Sequence, residues 1–153
     1  MAEITTLDKE GLDFLKHEEG CILHPYRDSV GIPTIGIGMT YYPATGKKVT
    51  MQDPIITMQQ ADDMFMLMVK PYCLAVYSTT RDDINQHQFN ALVSLCYNIG
   101  TGGFKGSTVH RMVNANVIGQ PLKDAFLMWS KAGGKLNLAL KERRVREYNL
   151  YSK

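Results

Sequence analysis

The spacing of apolar positions changes character twice along this chain. From about Asp8 to Glu18, the positions Leu7, Gly11, Phe14 and Leu15 fall on one face of a helix, and Gly20 stands just beyond its end. From Cys21 to about Thr50, glycines, prolines and short β-rich runs predict a small antiparallel sheet, with Tyr41 to Lys48 a loop or weaker hairpin. After Pro54 the pattern turns helical. Thr57 followed by Gln60 is a capping-box signature opening a helix from Met58 to about Tyr77. Met64, Leu67, Met68 and Val69 supply its helix-compatible pattern, and Pro71 is placed to kink or split it. Asn85 with Gln88 caps another helix, whose face is Phe89, Leu92, Val93 and Cys96 before Gly100 stops it. Shorter helices follow at Ser107 to Ala115, Pro121 to Lys131 and Lys135 to Tyr148, with Pro121 a first-turn residue. The chain carries no internal repeat and no low-complexity linker.

At 153 residues the chain fits one domain, and a 44% hydrophobic fraction is ample for a core. A net charge of +2 does not read as a nucleic-acid binder, although a slightly basic balance suits work on an anionic polymer. Cys21, Cys73 and Cys96 are odd in number and lack metal spacing, so they read as buried free thiols. His17, His24, His87 and His110 form no metal-ligand pattern and read as surface residues, so no metal or cofactor is expected. The N-terminal stretch is polar, with no apolar run of signal-peptide or membrane-spanning length, which predicts synthesis in the cytoplasm and no stable membrane insertion.

Candidate chemistry concentrates in residues 19–38, EGCILHPYRDSVGIPTIGIG. Hydrolysis of a glycosidic bond needs two carboxyl groups flanking one sugar bond, one to give a proton and one to activate water. Glu19 and Asp28 are the two candidates. Fully extended, the nine residues between them would span roughly 30 Å, so the chain must fold back, and Gly20, Pro25, Gly31 and Pro33 favour or permit such turns. A reversal centred near Gly31 would set Thr34 directly opposite Asp28, with Cβ atoms about 4.5–5.5 Å apart and a water held between them. In the run after it, Ile35 and Ile37 would face a core while Gly36 and Gly38 leave the other face bare for a bulky ligand. Each candidate has a plainer reading: Glu19 a solvated helix-end carboxylate, Asp28 a turn aspartate, Thr34 a β-branched strand residue.

These residues resemble the catalytic segment of the phage-type lysozymes, the endolysins of glycoside hydrolase family 24. The match is Glu19-Gly20, then Asp28, then Thr34-Ile35-Gly36-Ile37-Gly38 at the family's spacing. Chemistry alone does not separate Glu18 from Glu19; the family pattern selects the Glu that precedes Gly, leaving Glu18 an exposed helix residue. The resemblance continues through residues 89–109, AFLMWSKAGGK and ERRVREYNLY, in order and over nearly the whole chain. It implies an α+β, lysozyme-like fold over residues 1–153. A small antiparallel β lobe would occupy about 20–55, with a mostly helical lobe at about 56–153 plus the N-terminal helix and a substrate cleft between the lobes. One departure stands out. Many relatives carry His directly after the TIGxG string, where this chain has Met39, so any ion pair built on that His is missing.

The resemblance also implies the roles. Glu19 protonates the leaving oxygen, and Asp28, helped by Thr34, activates water in an inverting muramidase with carboxyl groups about 6.5–9.5 Å apart. Tyr97 and Asn98 occupy groove-lining positions in relatives, although a core tyrosine reads as well. Arg143 resembles the arginine that pairs with the catalytic acid, with Arg144 and Arg146 close enough for the assignment to slip. The plain alternatives are a solvated basic helix face or a contact with anionic outer-membrane lipid. The expected setting is a monomer acting on peptidoglycan, kept in the host cytoplasm until a phage holin releases it to the wall. Rival functions are lytic transglycosylation, against which Asp28 speaks, and a wall-binding or bacteriocin module, against which the complete set Glu19, Asp28 and Thr34 speaks.

Overall fold

A computed structural model describes residues 3–153, so the reading of the first two residues lies outside it. The chain forms two compact units: Leu12–Lys70, and the N-terminal residues through Gly11 together with Pro71–Lys153. Helix α1 (Lys9–Glu19) starts where Asp8 Oδ1 accepts the Gly11 N–H at 3.0 Å. It stops at Gly20, whose N–H returns to the Lys16 carbonyl at 2.9 Å with φ at +80°.

In the Leu12–Lys70 unit, strands β1 (Ile22–Arg27) and β2 (Pro33–Gly36) pair antiparallel. The register runs Ile22↔Gly36 and then Tyr26↔Thr34, so four residues of β1 span two of β2. Pro25 lies in that irregular stretch, as expected of a residue with no N–H to give the ladder. The TIGIG string does not continue as a strand. Ile35 and Met39 bond to each other in both directions at 2.9 Å, and the chain reverses between them at Gly36 and Gly38, both with φ near +65°. Ile35 and Ile37 are fully buried, as the alternation predicts, and Met39 joins them. Gly36 corrects the expectation of a bare face, because a Cβ there would meet the Ile56 and Ala61 side chains at 3.5 and 3.6 Å. Gly38 does face open space. Tyr41↔Lys48 is a bridge of the weaker hairpin, and Asp53 fastens its far side by accepting from Tyr42 Oη and Thr50 Oγ1, both at 2.7 Å.

Helix α2 (Met58–Tyr77) opens with the expected capping box, Thr57 N–H to Gln60 and Gln60 N–H to Thr57. It runs unbroken through Pro71, where splitting was a possibility in the sequence. The carbonyl that Pro71 cannot serve belongs to Leu67, which is 42% exposed and so can be hydrated. Of the residues that supply the helix-compatible pattern, Leu67 is thus exposed while Val69 is buried. Ala61, Phe65, Val69, Cys73 and Val76 point inward at spacings of three and four residues.

In the other unit, α3 (Gln86–Ile99) has its full capping box at Asn85 and stops at Gly100, and its residues Phe89 to Cys96 are buried. It packs on α7 (Leu138–Tyr151), which in turn packs on α6 (Gln120–Leu127). Between α3 and α6, α4 (Thr101–Lys105) follows directly on Gly100, and α5 (Thr108–Asn114) starts at the Ser107 cap. The two last helices are shorter or later than their patterns predict. Residues 131–136 instead form a hairpin, β3 (Lys131–Ala132) with β4 (Lys135–Leu136), turning on Gly133 and Gly134, both with positive φ. Asp8 Oδ1 also accepts from Asn90 Nδ2 at 2.8 Å, tying the start of α1 to α3.

Candidate active site

Glu19, Asp28 and Thr34 all lie in the Leu12–Lys70 unit, on successive elements. Glu19 is the last residue of α1, half-buried, at the point where Gly20 turns the chain into β1. Its neighbour corrects an expectation: the Glu18 side chain is only 4% exposed, so Glu18 is not the solvated member of the pair. Nearby in the same unit, Lys16 Nζ meets Asp62 Oδ1 at 2.6 Å and fixes the last turn of α1 on α2.

Asp28 sits where β1 ends. Its Oδ1 accepts two backbone N–H groups, from Val30 at 3.0 Å and Ile32 at 2.9 Å. Its own N–H reaches the Ile32 carbonyl at 3.0 Å, and its carbonyl accepts from Gly31 at 3.0 Å. Arg27 Nη1 adds a bond to the Gly31 carbonyl at 3.0 Å. The carboxylate therefore organises its own turn, an Asx-type arrangement. Both side-chain bonds fall on one oxygen, which leaves Oδ2 outside the turn's bonding.

The reversal is centred on Val30, one residue earlier than Gly31 alone suggested. Thr34 accordingly stands opposite Tyr26 and not Asp28, a correction to the directly opposed pair. Asp28 and Thr34 keep the same parity, so they become diagonal neighbours, for which a separation of about 7–8 Å is typical. Thr34 is 2% exposed, and its hydroxyl donates to the Ile32 carbonyl at 2.8 Å. Its hydrogen is thereby committed, and its oxygen is left to accept.

The remaining candidates lie in the other unit. Tyr97 sets its ring edge-on to Tyr72, centroids 4.8 Å apart. Asn98 Oδ1 accepts a short hydrogen bond from Arg144 Nη2. Arg143 is 6% exposed, with Nε 3.2 Å from Glu147 Oε2 and Nη2 donating to the Ser94 carbonyl at 3.2 Å. Arg144 Nη1 is 3.2 Å from Glu147 Oε1, and Ser94 Oγ donates to Glu147 at 2.5 Å. Burial pushes the Glu147 carboxyl up, against the pull of Arg144, Arg143 and the Ser94 hydroxyl. The arginine-rich segment is thus not a solvated basic face at Arg143 and Arg144. The sequence reading passed over Glu147, although its spacing from Arg143 and Arg144 by four and three residues is the pattern of helix ion pairs.

Other expectations fare variously. All three cysteines are unpaired, Cys73 and Cys96 buried and Cys21 partly so. His110 is not a free surface residue: its ring meets Phe104 edge-on and its Nε2 lies 3.0 Å from Thr79 Oγ1. Among the described residues no cluster of His, Cys, Asp and Glu has metal-binding geometry, and no helix is long and apolar enough to cross a membrane.

The chain is similar to known proteins along nearly its whole length. The phage lysozyme family model matches residues 16–147. The endolysin of Salmonella phage P22 is 39% identical over 138 residues, covering 90% of this chain and 92% of that protein. The endolysin of Bacillus phage PZA is 31% identical over 149 residues, 95% of this chain but 55% of that longer protein. The solved endolysin from Escherichia coli O157:H7 phage FAHEc1 superposes with a TM-score of 0.87 at 34% identity, covering 99% of this chain and 96% of that one. A family match spanning the carboxylate segment, the central helix and the C-terminal arginines shows that the chain belongs to the phage lysozyme family.

Proposed function

We propose that this protein is the peptidoglycan-cleaving lysozyme of a phage, a muramidase that cuts the β-1,4 bond between N-acetylmuramic acid and N-acetylglucosamine during host lysis. The observation that carries the reading is the Asp28 turn. A carboxylate pinned through Oδ1 by two backbone N–H groups presents Oδ2 in a fixed direction. In the same unit, the buried Thr34 oxygen is ready to accept.

The chemistry follows from those donors and acceptors. Water donates one hydrogen to Asp28 Oδ2 and the other to Thr34 Oγ1, which aims its lone pair at the anomeric carbon. As that bond forms, the glycosidic C–O bond breaks and Glu19 passes its proton to the leaving oxygen. The proton lost by water ends on Asp28, and the new sugar end has inverted configuration. Tyr97 and Asn98 remain candidates for contacts to the glycan on the strength of the resemblance. Arg143 remains a candidate partner of the catalytic acid on the strength of the same resemblance, and its Nε is also 3.2 Å from Glu147 Oε2. A monomer that depends on a holin for access to the wall fits the same reading.

Turbidity clearance of purified walls tests it. Glu19→Gln should lose at least about a hundredfold in rate, and NMR of the first product should show the α-anomer from the β-linked substrate. Equal clearance by both proteins would remove Glu19 from the mechanism. 1,6-Anhydro ends would instead establish a transglycosylase.

A further inference from the structure

The pairing of β1 with β2 puts a third side chain on the face that carries Asp28 and Thr34. Tyr26 is the direct partner of Thr34 in that ladder, and directly opposed residues point to one face with Cβ atoms about 4.5–5.5 Å apart. Asp28 comes two residues after Tyr26, the spacing that returns a side chain to the same face. The ladder holds that far: Arg27 pairs with Pro33, and the Asp28 N–H reaches the Ile32 carbonyl at 3.0 Å. Tyr26, Asp28 and Thr34 therefore share one surface of the hairpin. Tyr26 is half-buried. Burial pushes its phenol above the ordinary value of 10.0, with the Asp28 carboxylate and then Cys21 adding to the rise, and no hydrogen bond takes part. The hydroxyl is thus a donor throughout the neutral range, within electrostatic reach of Asp28 and of Cys21, which lies two residues past Glu19.

The attacking water leaves a place for one such donor. Asp28 Oδ2 lies outside the turn's bonding, and Thr34 has given its hydrogen to the Ile32 carbonyl, so both groups can only accept. A water that donates to both has no hydrogen left and keeps two lone pairs, one on either side of the plane of its O–H bonds. One of them must face the anomeric carbon, and the two acceptors do not decide which. We propose that Tyr26 decides it, as a third holder of the attacking water whose O–H donates to the lone pair turned away from the sugar. The inference rests on the muramidase reading and adds a catalytic residue to it. The phenol keeps its proton throughout, and the proton lost by water still goes to Asp28. What Tyr26 contributes is orientation, holding the reacting lone pair in line with the bond being broken.

Reducing-end release from purified sacculi tests the assignment, with kcat and KM measured separately. Tyr26→Phe keeps the ring and its packing and removes only the donor. It should lower kcat roughly three- to tenfold, about what one neutral hydrogen bond supplies, and leave KM within about twofold. In Asp28→Asn, an amide nitrogen in the place of Oδ2 donates to the water and turns it round. Adding Tyr26→Phe to that variant should therefore change the residual kcat less than about twofold. A raised KM with kcat kept would place the phenol on the glycan instead and overturn the proposal. So would an unchanged kcat, or equal fold losses in the wild-type and Asp28→Asn backgrounds. Failure of the wild type to release reducing ends would instead sink the muramidase reading, and the role of Tyr26 with it.

Discussion

Asp28 does two jobs with one side chain, and they can be separated. Its Oδ1 holds the β1–β2 turn through Val30 and Ile32, while Oδ2 is the proposed base. An amide oxygen can accept the same two N–H bonds but cannot take a proton from water. Asp28→Asn should therefore melt within about 2 °C of the wild type while losing on the order of a hundredfold or more in wall clearance. Asp28→Ala should lose both. At this scale the sequence was most informative about residue identity and least about geometry. Glu19, Asp28 and Thr34 stand out by type and spacing. The register did not, because a single glycine marks that a turn exists without saying where it is centred; the Asx bonds to Val30 and Ile32 move it by one residue. Nor could adjacency reveal that Glu18 is buried, since helix position alone gives neighbouring carboxylates similar claims to solvent.

Elements were legible where their ends carry chemistry and obscure where apolar residues surround them. The Thr57/Gln60 and Asn85/Gln88 boxes fixed two helix starts, and Gly20 and Gly100 fixed two stops. Helix α2 is rich in Met and Leu on all sides, so its inward face of Ala61, Phe65 and Val69 had little contrast against Met64, Leu67 and Met68. Lys131, Lys135 and Leu136 read in the sequence as ends of flanking helices even though the paired glycines between them are a hairpin signal, because each two-residue strand is too short to show alternation. Gly11 shows the opposite case, a small residue whose purpose is contact. A Cβ there would lie 2.4 Å from Asn90 Oδ1, the amide that accepts from Gln86 and whose nitrogen donates to Asp8. Helix propensity favours Gly11→Ala by about 1 kcal/mol. The clash and the disturbed amide should outweigh it, for a net loss of about 1–3 kcal/mol in urea unfolding.

At the scale of the whole molecule, the unit that contains Gly11 gathers distant parts of the chain at Glu10. His87 Nδ1 lies 2.6 Å from its Oε1, and Lys153 Nζ lies 3.1 Å from its Oε2. Hydrogen bonds from His87 and then Lys153 hold the Glu10 carboxyl below its ordinary value of 4.5. A carboxyl lowered on folding stabilises the folded state above its unfolded value, and that contribution is lost as pH falls through the folded one. The melting-temperature gap between wild type and Glu10→Gln should accordingly be present near pH 6 and shrink as pH falls below 4.5. It should be modest throughout, because the site is partly solvent-screened. A gap that widened in acid would contradict the assignment.

The three unpaired thiols have a consequence for where such a protein can work. Burial pushes the Cys73 and Cys96 thiols up to about 11 and about 12, so neither is an available thiolate near neutral pH. With no disulfide among the three thiols, folding waits on no oxidation step, and a reducing medium finds no native cross-link to break.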